Sequence, residues 1–378
     1  MTIVSSRQPP RLSDPRTYRV VALPGEGIGP EVVGASLDIL QHLAMTEGFQ
    51  LIVDYGLIGE PANEKFGVPL PDATLALCRE SDGILFGSAT QAVLLELCQY
   101  FDLFANLCPV CPSPHLLDAS PLKGDRLKNV DILFVRELGG GVYWGQSGRG
   151  INFQGAYGFH TMHYGDAQIR RIARLALTYA QARRGHLTLA HKESTLPKIP
   201  WTRLVLNEAS AFPSVTVVPM PVDHLAMQLV MQPQNFDVVL AGNLFGDILS
   251  DLGGAIAGSM GLLGSASLNA DGFGLYEAFC GVAPDMAGQG IANPLGTLAG
   301  VMLMLEQWGE HRAVQRLRSI QNKLLAAGYY TPDLCETDSV CTSSNDQVAV
   351  TCSHCTPVTT NELVALFTQA IGECSGSD

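Results

Sequence analysis

Residues 243–268 read NLFGDILSDLGGAIAGSMGLLGSASL, just after the apolar strand candidate Asp237–Ala241. If a helix begins near Asp247, then Asp247 and Asp251 stand four residues apart and share one helix face. Two neighbouring carboxylates repel each other unless a positive charge lies between them, and oxygen ligands suit Mg²⁺ or Mn²⁺. Alternatively, Asp247 caps the helix and Asp251 is a solvated side chain. The pattern alone leaves both interpretations open.

Three further residues could carry chemistry beside those aspartates. Lys192 follows the strand candidate Leu187–Ala190 and Asp223 follows Val215–Pro219. Open α/β sheets place their sites at such C-terminal strand ends. A lysine near a metal has its pKa lowered and can relay protons. Tyr143 follows three glycines that could form a tight loop and aim its side chain. Taken singly, an ordinary surface charge or simple packing is the simpler explanation of each.

Short apolar runs alternate with stretches of helical periodicity, which predicts an α/β fold with a mostly parallel sheet flanked by helices. One helix begins at Pro30, and another has Asp166 as its N-cap and ends before Gly185. The predicted strands, in chain order, are Tyr18–Leu23, Leu51–Asp54, Gly83–Phe86, Asp131–Val135, Leu187–Ala190, Val215–Pro219 and Asp237–Ala241.

A glycine-rich segment, LPGEGIGPE at residues 23–31, lies between the first strand and the first helix. Its glycines allow a tight turn and a close approach of the backbone to a ligand. Its spacing is G-x-G-x-G, whereas the dinucleotide-binding Rossmann fold has G-x-G-x-x-G. A strand-to-helix turn without a ligand explains the segment as well.

Composition bounds the classes of function. The 378 residues allow two or three domain-sized units or one large α/β body. A formal charge of −13 disfavours nucleic acid and membrane as partners, but a local arginine or metal can still bind a small carboxylate. We recognise no signal peptide and no apolar run long enough to span a bilayer, so we expect a cytoplasmic protein, with an organelle as the alternative.

The ten cysteines include two C-x-x-C pairs, Cys108/Cys111 and Cys352/Cys355. Such pairs could bind a structural zinc ion. In a chain of this size without a signal peptide, free thiols are the favoured interpretation. The polar stretch Thr331–Thr360, rich in Cys, Ser and Thr, is predicted to be a surface insertion.

Five segments together resemble one family. They are LPGEGIGPEV, LFANLCP, VRELGGGVYWG, the 243–268 segment quoted above and APDMAGQGIANP. Each resembles 3-isopropylmalate dehydrogenase, within the wider family of β-decarboxylating isocitrate and isopropylmalate dehydrogenases. The likeness runs in order from about Val20 to Glu306, with a weaker tail near Thr359.

The resemblance implies the isopropylmalate dehydrogenase-like two-domain fold. Residues 1–103 plus 258–378 would form a discontinuous cofactor-side domain, and residues 104–257 would form a substrate and dimerisation domain. The family's dimers are joined by a clasp, here around Tyr143–His163, and their active sites are shared between the two subunits. We therefore expect a homodimer.

Site residues follow from the same likeness. Asp223, Asp247 and Asp251 match the Mg²⁺ or Mn²⁺ ligands, and Lys192 and Asp223 would reach the site from the neighbouring chain. Lys192 matches the general base and Tyr143 the general acid, so that Lys192, Tyr143 and Asp223 form the catalytic set. Arg136 matches an arginine that holds the substrate carboxylate.

The resemblance also implies NAD as the cofactor. Asp285 stands where NAD-dependent members carry an acid, which binds both ribose hydroxyls and repels a 2′-phosphate. Asn293 matches the adenine contact, and Gly281 lies on the same side. Gln91 replaces the acidic residue beside the nicotinamide.

Several departures fall in the substrate pocket. Cys98 and Cys108 replace two arginines, and each exchange removes a fork that would pair a carboxylate. Losing one such contact costs roughly 1.5–3 kcal/mol, or about ten- to a hundredfold in binding. Leu94 and Leu95 match the apolar patch for the alkyl group. The loop that usually follows Gly87 is nearly absent.

Three functions remain open. The first is NAD- and metal-dependent oxidative decarboxylation of a 2-alkylmalate, bulkier or less charged than isopropylmalate, in a specialised pathway. The second is a redox-neutral decarboxylase, isomerase or lyase that no longer transfers hydride. The third is a non-catalytic partner on the same fold, against which the three aspartates argue. We expect the first.

Overall fold

The computed structural model describes residues 16–279, 281–335 and 355–373. Its strands are β1 (Thr17–Gly25), β2 (Gln50–Tyr55), β3 (Gly83–Ser88), β4 (Ala105–Val110), β5 (Ile132–Glu137), β6 (Ser147–Asn152), β7 (Gly155–His160), β8 (His186–His191), β9 (Thr216–Pro221), β10 (Val238–Ala241), β11 (Gly264–Leu268), β12 (Gly274–Ala278), β13 (Tyr329–Tyr330) and β14 (Thr356–Pro357). Its α-helices are α1 (Gly29–Glu47), α2 (Glu60–Phe66), α3 (Asp72–Arg79), α4 (Gln91–Tyr100), α5 (Gly124–Leu127), α6 (Asp166–Ala182), α7 (Trp201–Ala209), α8 (Val222–Met231), α9 (Asn243–Ala257), α10 (Leu295–Trp308), α11 (His311–Ala326) and α12 (Thr360–Glu373).

A ten-stranded sheet runs through the chain in the order β2-β1-β3-β12-β11-β4-β5-β10-β8-β9. The pairs on both outer parts are parallel, as predicted. The three central pairs, β12/β11, β11/β4 and β4/β5, are antiparallel. The predicted mostly parallel α/β architecture is confirmed, with an antiparallel centre that the sequence did not predict.

All seven predicted strands are confirmed, although β2 and β9, at the two edges of the sheet, are only partly buried. All six residues of β3 and of β5 are buried. The helix at Pro30 is α1, and the helix before Gly185 is α6. The N-cap assignment of Asp166 was wrong by one residue, since Gly165 is the N-cap and Asp166 is the first helical residue.

Alternation along the strands divides the core between the two faces of the sheet. In β5, Leu133 and Val135 belong to a cluster beneath α1, α6 and α10, while Phe134 points to the opposite face. On that opposite face, α8 and α9 cover one cluster and α3 and α4 cover another. The space between α4 and α9 holds the cavity described below.

Two further predictions concern the domain division and the surface insertion. The division at residues 103/104 and 257/258 stays a prediction, since the sheet is continuous across it through β11 and β4. Residues 336–354 of the expected surface insertion lie outside the described residues. Its flanks pair as β13 and β14, and both Thr331 and Thr360 are buried. No helix of the described part is long and apolar enough to cross a membrane.

Candidate active site

The two aspartates of the NLFGDILSD segment lie on α9, one turn apart. Helix α9 begins at Asn243, directly after the buried strand β10, so the alternative in which Asp247 caps the helix is wrong. The pKa of Asp251 is raised, first by desolvation and then by the neighbouring Asp247, while Arg136 opposes the shift. The site therefore holds two carboxylates that one arginine compensates only in part.

Arg136 and Tyr143 both bind Asp247. The Arg136 guanidinium donates through Nη1 to Asp247 Oδ1, and the Tyr143 hydroxyl donates to Asp247 Oδ2 at 2.9 Å. The guanidinium lies 5.9 Å from the centre of the Tyr143 ring. The pKa of Tyr143 is raised by desolvation and by its bond to Asp247, so its phenol keeps its proton.

The loop that carries Tyr143 is fixed by two buried side chains that the sequence analysis did not single out. Asn243 Nδ2 donates to the carbonyls of Leu138 and Gly140, each at 3.1 Å. The carboxylate of Glu137 accepts from the amides of Gly139 and Gly140 at 2.9 and 2.8 Å. The three glycines before Tyr143 were the available signal, because such a loop needs partners for its backbone groups.

Lys192 and Asp223 form a separate pair. Lys192 Nζ lies 2.5 Å from Asp223 Oδ1, at the C-terminal ends of β8 and β9, as predicted from the strand that each residue follows. Lys192 lowers the pKa of Asp223. Within the described ranges, no three His, Cys, Asp or Glu side chains come close enough to share a metal ion. Within one chain, therefore, Asp223 does not share a metal site with Asp247 and Asp251.

A cavity of about 250 Å³ lies between α4 and α9. Seven of the residues singled out from the sequence line it: Gln91, Leu94, Leu95, Cys98, Arg136, Asp247 and Gly281. Among the described residues that line it, Arg136 is the one cation. The wall that α4 contributes to the cavity is therefore largely apolar, and Arg136 and Asp247 make one end of the cavity charged.

The two cysteines that stand in place of arginines occupy different environments. Cys98 lines the cavity, whereas Cys108 is fully buried on β4 in the cluster under α9 and is not part of the cavity wall. Burial raises the pKa of both thiols to about 12, so both are neutral. In the C-x-x-C pairs, the Cys111 side chain is exposed and the Cys355 side chain is half-buried, while Cys352 lies outside the described residues.

A polar network at the antiparallel centre of the sheet forms another part of the cavity wall. Asn106 Nδ2 donates to Ser265 Oγ at 3.2 Å and to Ser267 Oγ at 3.1 Å, and Ser265 Oγ lies 3.4 Å from Glu277 Oε1. Burial raises the pKa of Glu277 to about 7. These residues were missed because β4, β11 and β12, the strands that bring them together, were not among the predicted strands.

The residues expected on the cofactor side lie after β12. Asp285 is exposed, and a side chain built on Gly281 would meet open space. Asn293 is buried, and its amide is already engaged, donating to Asp333 Oδ2 at 3.0 Å and accepting from the Leu295 amide at 3.0 Å. Asp285 and Gly281 are therefore open to a ligand, whereas Asn293 is held by the protein.

The glycines of the 23–31 turn serve contacts within the chain. Gly25 and Gly27 have positive φ values of 70° and 56°. A Cβ at Gly25 would lie 1.9 Å from the Ser88 carbonyl oxygen, and one at Gly27 would lie 1.9 Å from that of Val282. The close backbone approach predicted for a ligand is thus made to the protein's own backbone.

Comparison with known proteins gives consistent matches over most of the chain. The family described as isocitrate/isopropylmalate dehydrogenase matches residues 19–350. A 3-isopropylmalate dehydrogenase of Pseudoalteromonas translucida is 41% identical over 334 residues, covering 84% of this chain and 93% of its own length. Another, from Carboxydothermus hydrogenoformans, is 40% identical over 353 residues, covering 88% and 94%.

Solved structures agree in fold. The crystal structure of isocitrate dehydrogenase from Methylococcus capsulatus has a TM-score of 0.79 at 31% identity, covering 94% of this chain and 99% of that one. The apo form of a beta-decarboxylating dehydrogenase from Thermococcus kodakarensis has a TM-score of 0.74 at 28% identity, covering 96% and 98%.

Proposed function

Because this chain belongs to the isocitrate/isopropylmalate dehydrogenase family, we propose that it catalyses NAD-dependent oxidative decarboxylation of a 3-isopropylmalate-like 2-hydroxyacid. The observation that carries the proposal is that Arg136 and Asp247 line one end of the cavity and that both Arg136 and Tyr143 donate to Asp247. The redox-neutral alternative is not favoured, because the curated relatives are dehydrogenases.

The donor set on α9 fits a hard divalent cation. Asp247 and Asp251 offer carboxylate oxygens one turn apart, and the pKa of Asp251 is raised first by desolvation and then by the neighbouring Asp247. Asp247 and Asp251 would hold Mg²⁺ or Mn²⁺, with Asp223 of a second subunit as the third ligand. Such an ion, when bound, would supply positive charge near the 2-hydroxyl and the carboxylate of the substrate.

The chain's own groups then divide the work. Arg136 orients a substrate carboxylate through its planar guanidinium. Tyr143 holds a proton on Oη and delivers it to the enolate carbon after decarboxylation. Lys192 accepts the proton of the 2-hydroxyl, through a water molecule, as hydride passes to NAD. Hydride transfer followed by loss of CO₂ and protonation balances the reaction, with a 2-oxoacid and NADH as products.

A homodimer explains why Asp223 does not share a metal site with the two aspartates of α9 within one chain, because a second copy can supply Lys192 and Asp223 to the site. Two exposed apolar surfaces support it. Hairpin β6–β7 exposes Ile151 by 85% and Phe153 by 96%, and an isolated two-stranded hairpin is marginally stable on its own. Helices α8 and α9 expose Met227, Val230, Met231 and Ile248.

The cofactor-side residues fit NAD in part. An exposed carboxylate at Asp285 suits two ribose hydroxyls and disfavours the 2′-phosphate of NADP. Gln91 at the start of α4 and Gly281 on the facing loop both line the cavity, where a nicotinamide ring could meet the substrate. The amide of Asn293 would have to release Asp333 to contact an adenine ring.

The cavity suits a substrate with less negative charge than ordinary isopropylmalate. Its one arginine is shared with Asp247, and the Cys98 thiol is neutral. Leu94 and Leu95 offer an apolar wall for an alkyl group. A bulkier 2-alkylmalate of a specialised pathway fits this lining. The cytoplasmic location expected from the sequence stays a prediction.

Cofactor titration tests the proposal. The purified protein is titrated with NAD and with NADP in the presence of Mg²⁺ or Mn²⁺, and a panel of 2-alkylmalates is then assayed by NADH absorbance. We expect NAD to bind in preference to NADP, and NADH to form only with the metal present. Failure of NAD to bind at millimolar concentration would defeat the proposed function.

A further inference from the structure

The side chain of Asn243 is fully buried, and both the oxygen and the nitrogen of its amide form hydrogen bonds. Its Oδ1 accepts from Arg136 Nε at 3.0 Å, and its Nδ2 donates to two loop carbonyls, those of Leu138 and Gly140. Its backbone amide donates to the Tyr164 hydroxyl at 2.8 Å. One residue therefore contacts strand β5, the loop after it and the segment that connects β7 to α6.

Helix capping does not explain this side chain. Asn243 is the first residue of α9, the N-cap is Gly242, and no side chain caps the helix. The side-chain bonds of Asn243 leave the helix and run to β5 and to the loop. The position therefore uses an amide, which both accepts and donates, to join two neighbouring segments.

The bonds close into a ring around the site. Asn243 holds Arg136, which donates to Asp247 one turn further along α9. Tyr143 donates to the same carboxylate, and its loop returns to Asn243 through Gly140. A closed set of bonds restricts the relative positions of guanidinium, phenol and carboxylate more than separate bonds would.

Glu137 provides a second support, on the loop alone. Its carboxylate is buried beneath the loop and accepts from the amides of Gly139 and Gly140. It follows Arg136 on β5 but points to the opposite face of the strand, as neighbouring residues do. Glu137 therefore fixes the loop without binding the guanidinium.

Resting on the proposed function, we propose that Asn243 is a positioning residue for both Arg136 and Tyr143, and that Glu137 positions Tyr143 alone. Arg136 binds substrate and Tyr143 acts in the chemical step. Loss of the Asn243 amide should therefore impair binding and chemistry together, whereas loss of the Glu137 carboxylate should impair chemistry only.

Steady-state kinetics of Asn243→Ala and Glu137→Gln test this division. For Asn243→Ala we expect KM to rise and kcat to fall, each by roughly tenfold or more, since small displacements of catalytic groups are costly. For Glu137→Gln we expect kcat to fall by a similar factor with KM unchanged. Ser250→Ala is the matched control, because Ser250 is buried on the same helix and donates only to α9 carbonyls.

Amide hydrogen exchange of residues 138–143 gives a readout that needs no activity. We expect faster exchange in Asn243→Ala and in Glu137→Gln, and wild-type exchange in Ser250→Ala. If exchange is faster in these two variants but the wild-type protein turns over no 2-alkylmalate, the proposed function is defeated and the bonding role of Asn243 and Glu137 remains. The same pattern of KM and kcat in both variants, or kinetics equal to wild type, would overturn the positioning roles.

Discussion

The phenol of Tyr143 is held against Asp247 and keeps its proton, because desolvation and that carboxylate raise its pKa. We predict that Tyr143→Phe lowers kcat by roughly 10²–10⁴-fold, the usual contribution of a positioned acid, with KM little changed. NADH formation measures both constants. The side chain is partly exposed, so thermal unfolding should match wild type, and an unchanged kcat would remove Tyr143 from the mechanism.

The thiol of Cys98 occupies a cavity wall where a second cation could sit. We predict that Cys98→Arg lowers KM for 3-isopropylmalate by about ten- to a hundredfold, the value of one charge-assisted bond to a carboxylate. Cys98→Ser is the matched control, since it adds no charge. If KM does not fall, the cavity differs from that of the relatives in shape as well as in charge.

Single residues were predictable where they follow a recognisable strand or repeat a helical spacing. Asp247 and Asp251 stand four apart after an apolar run, and Lys192 and Asp223 follow two others. Their placement at strand ends and on one helix needed only local pattern. Asn243 and Glu137 were missed, because their partners are backbone groups of a loop whose path no local pattern specifies.

At the scale of elements, burial of Glu137 under the Tyr143 loop links stability to pH. Its pKa is raised from 4.5 to about 7, chiefly by desolvation. The folded chain therefore holds a proton that the unfolded carboxyl has lost, and this contribution to the free energy of unfolding falls as pH rises from about 4.5 to about 7. We predict that Glu137→Gln flattens the stability profile across that window in urea unfolding.

Glu208 provides the opposite control for that measurement. Arg174 and Arg170 lower its pKa, so its contribution is present above the ordinary carboxyl range and is lost as pH falls. Glu208→Gln should change the profile only on the acid side. An unaltered slope between pH 4.5 and 7 in Glu137→Gln would show that this carboxyl is ionised throughout.

Hairpin β6–β7 presents apolar side chains that its own chain does not cover. We predict that a double change, Ile151→Glu with Phe153→Glu, weakens self-association by about tenfold or more, since burying one such side chain contributes roughly 1.5–3 kcal/mol. Light scattering across a dilution series measures the mass. Met45→Glu, an exposed apolar residue on α1, is the control. A dilution curve equal to wild type would exclude the hairpin from the interface.

Strands that contain an apolar run were predictable from the sequence, whereas strands rich in small residues were not. Strands β11 (GSASL) and β12 (GLYEA) contain Gly, Ser and Ala, which have little intrinsic preference for strands. They are held by pairing with β3 and β4, which are distant in sequence. Pairing with distant strands therefore determines that these two segments form strands. Their antiparallel pairing with each other and with β4 makes the centre of the sheet antiparallel.

On the scale of the whole molecule, the separation of Asp223 from the two aspartates of α9 calls for two chains per site. We predict that Lys192→Met and Asp247→Asn are each inactive but recover about a quarter of wild-type activity when unfolded and refolded as an equimolar mixture. Half of the dimers would then be mixed, each with one intact site. If the variants refold to dimers but activity does not recover, Lys192 and Asp223 act in the same chain as Tyr143 and the two aspartates of α9.

The pairing of β4 with β11 has a mechanical consequence. This three-residue ladder, Ala105 to Leu107 against Ala266 to Leu268, is where the sheet passes between the two halves of the chain. Asn106 and Ser267, partners in the ladder, also line the cavity. If the two predicted domains move against each other, the sheet would bend at this seam, and residues that line the cavity would also form the hinge.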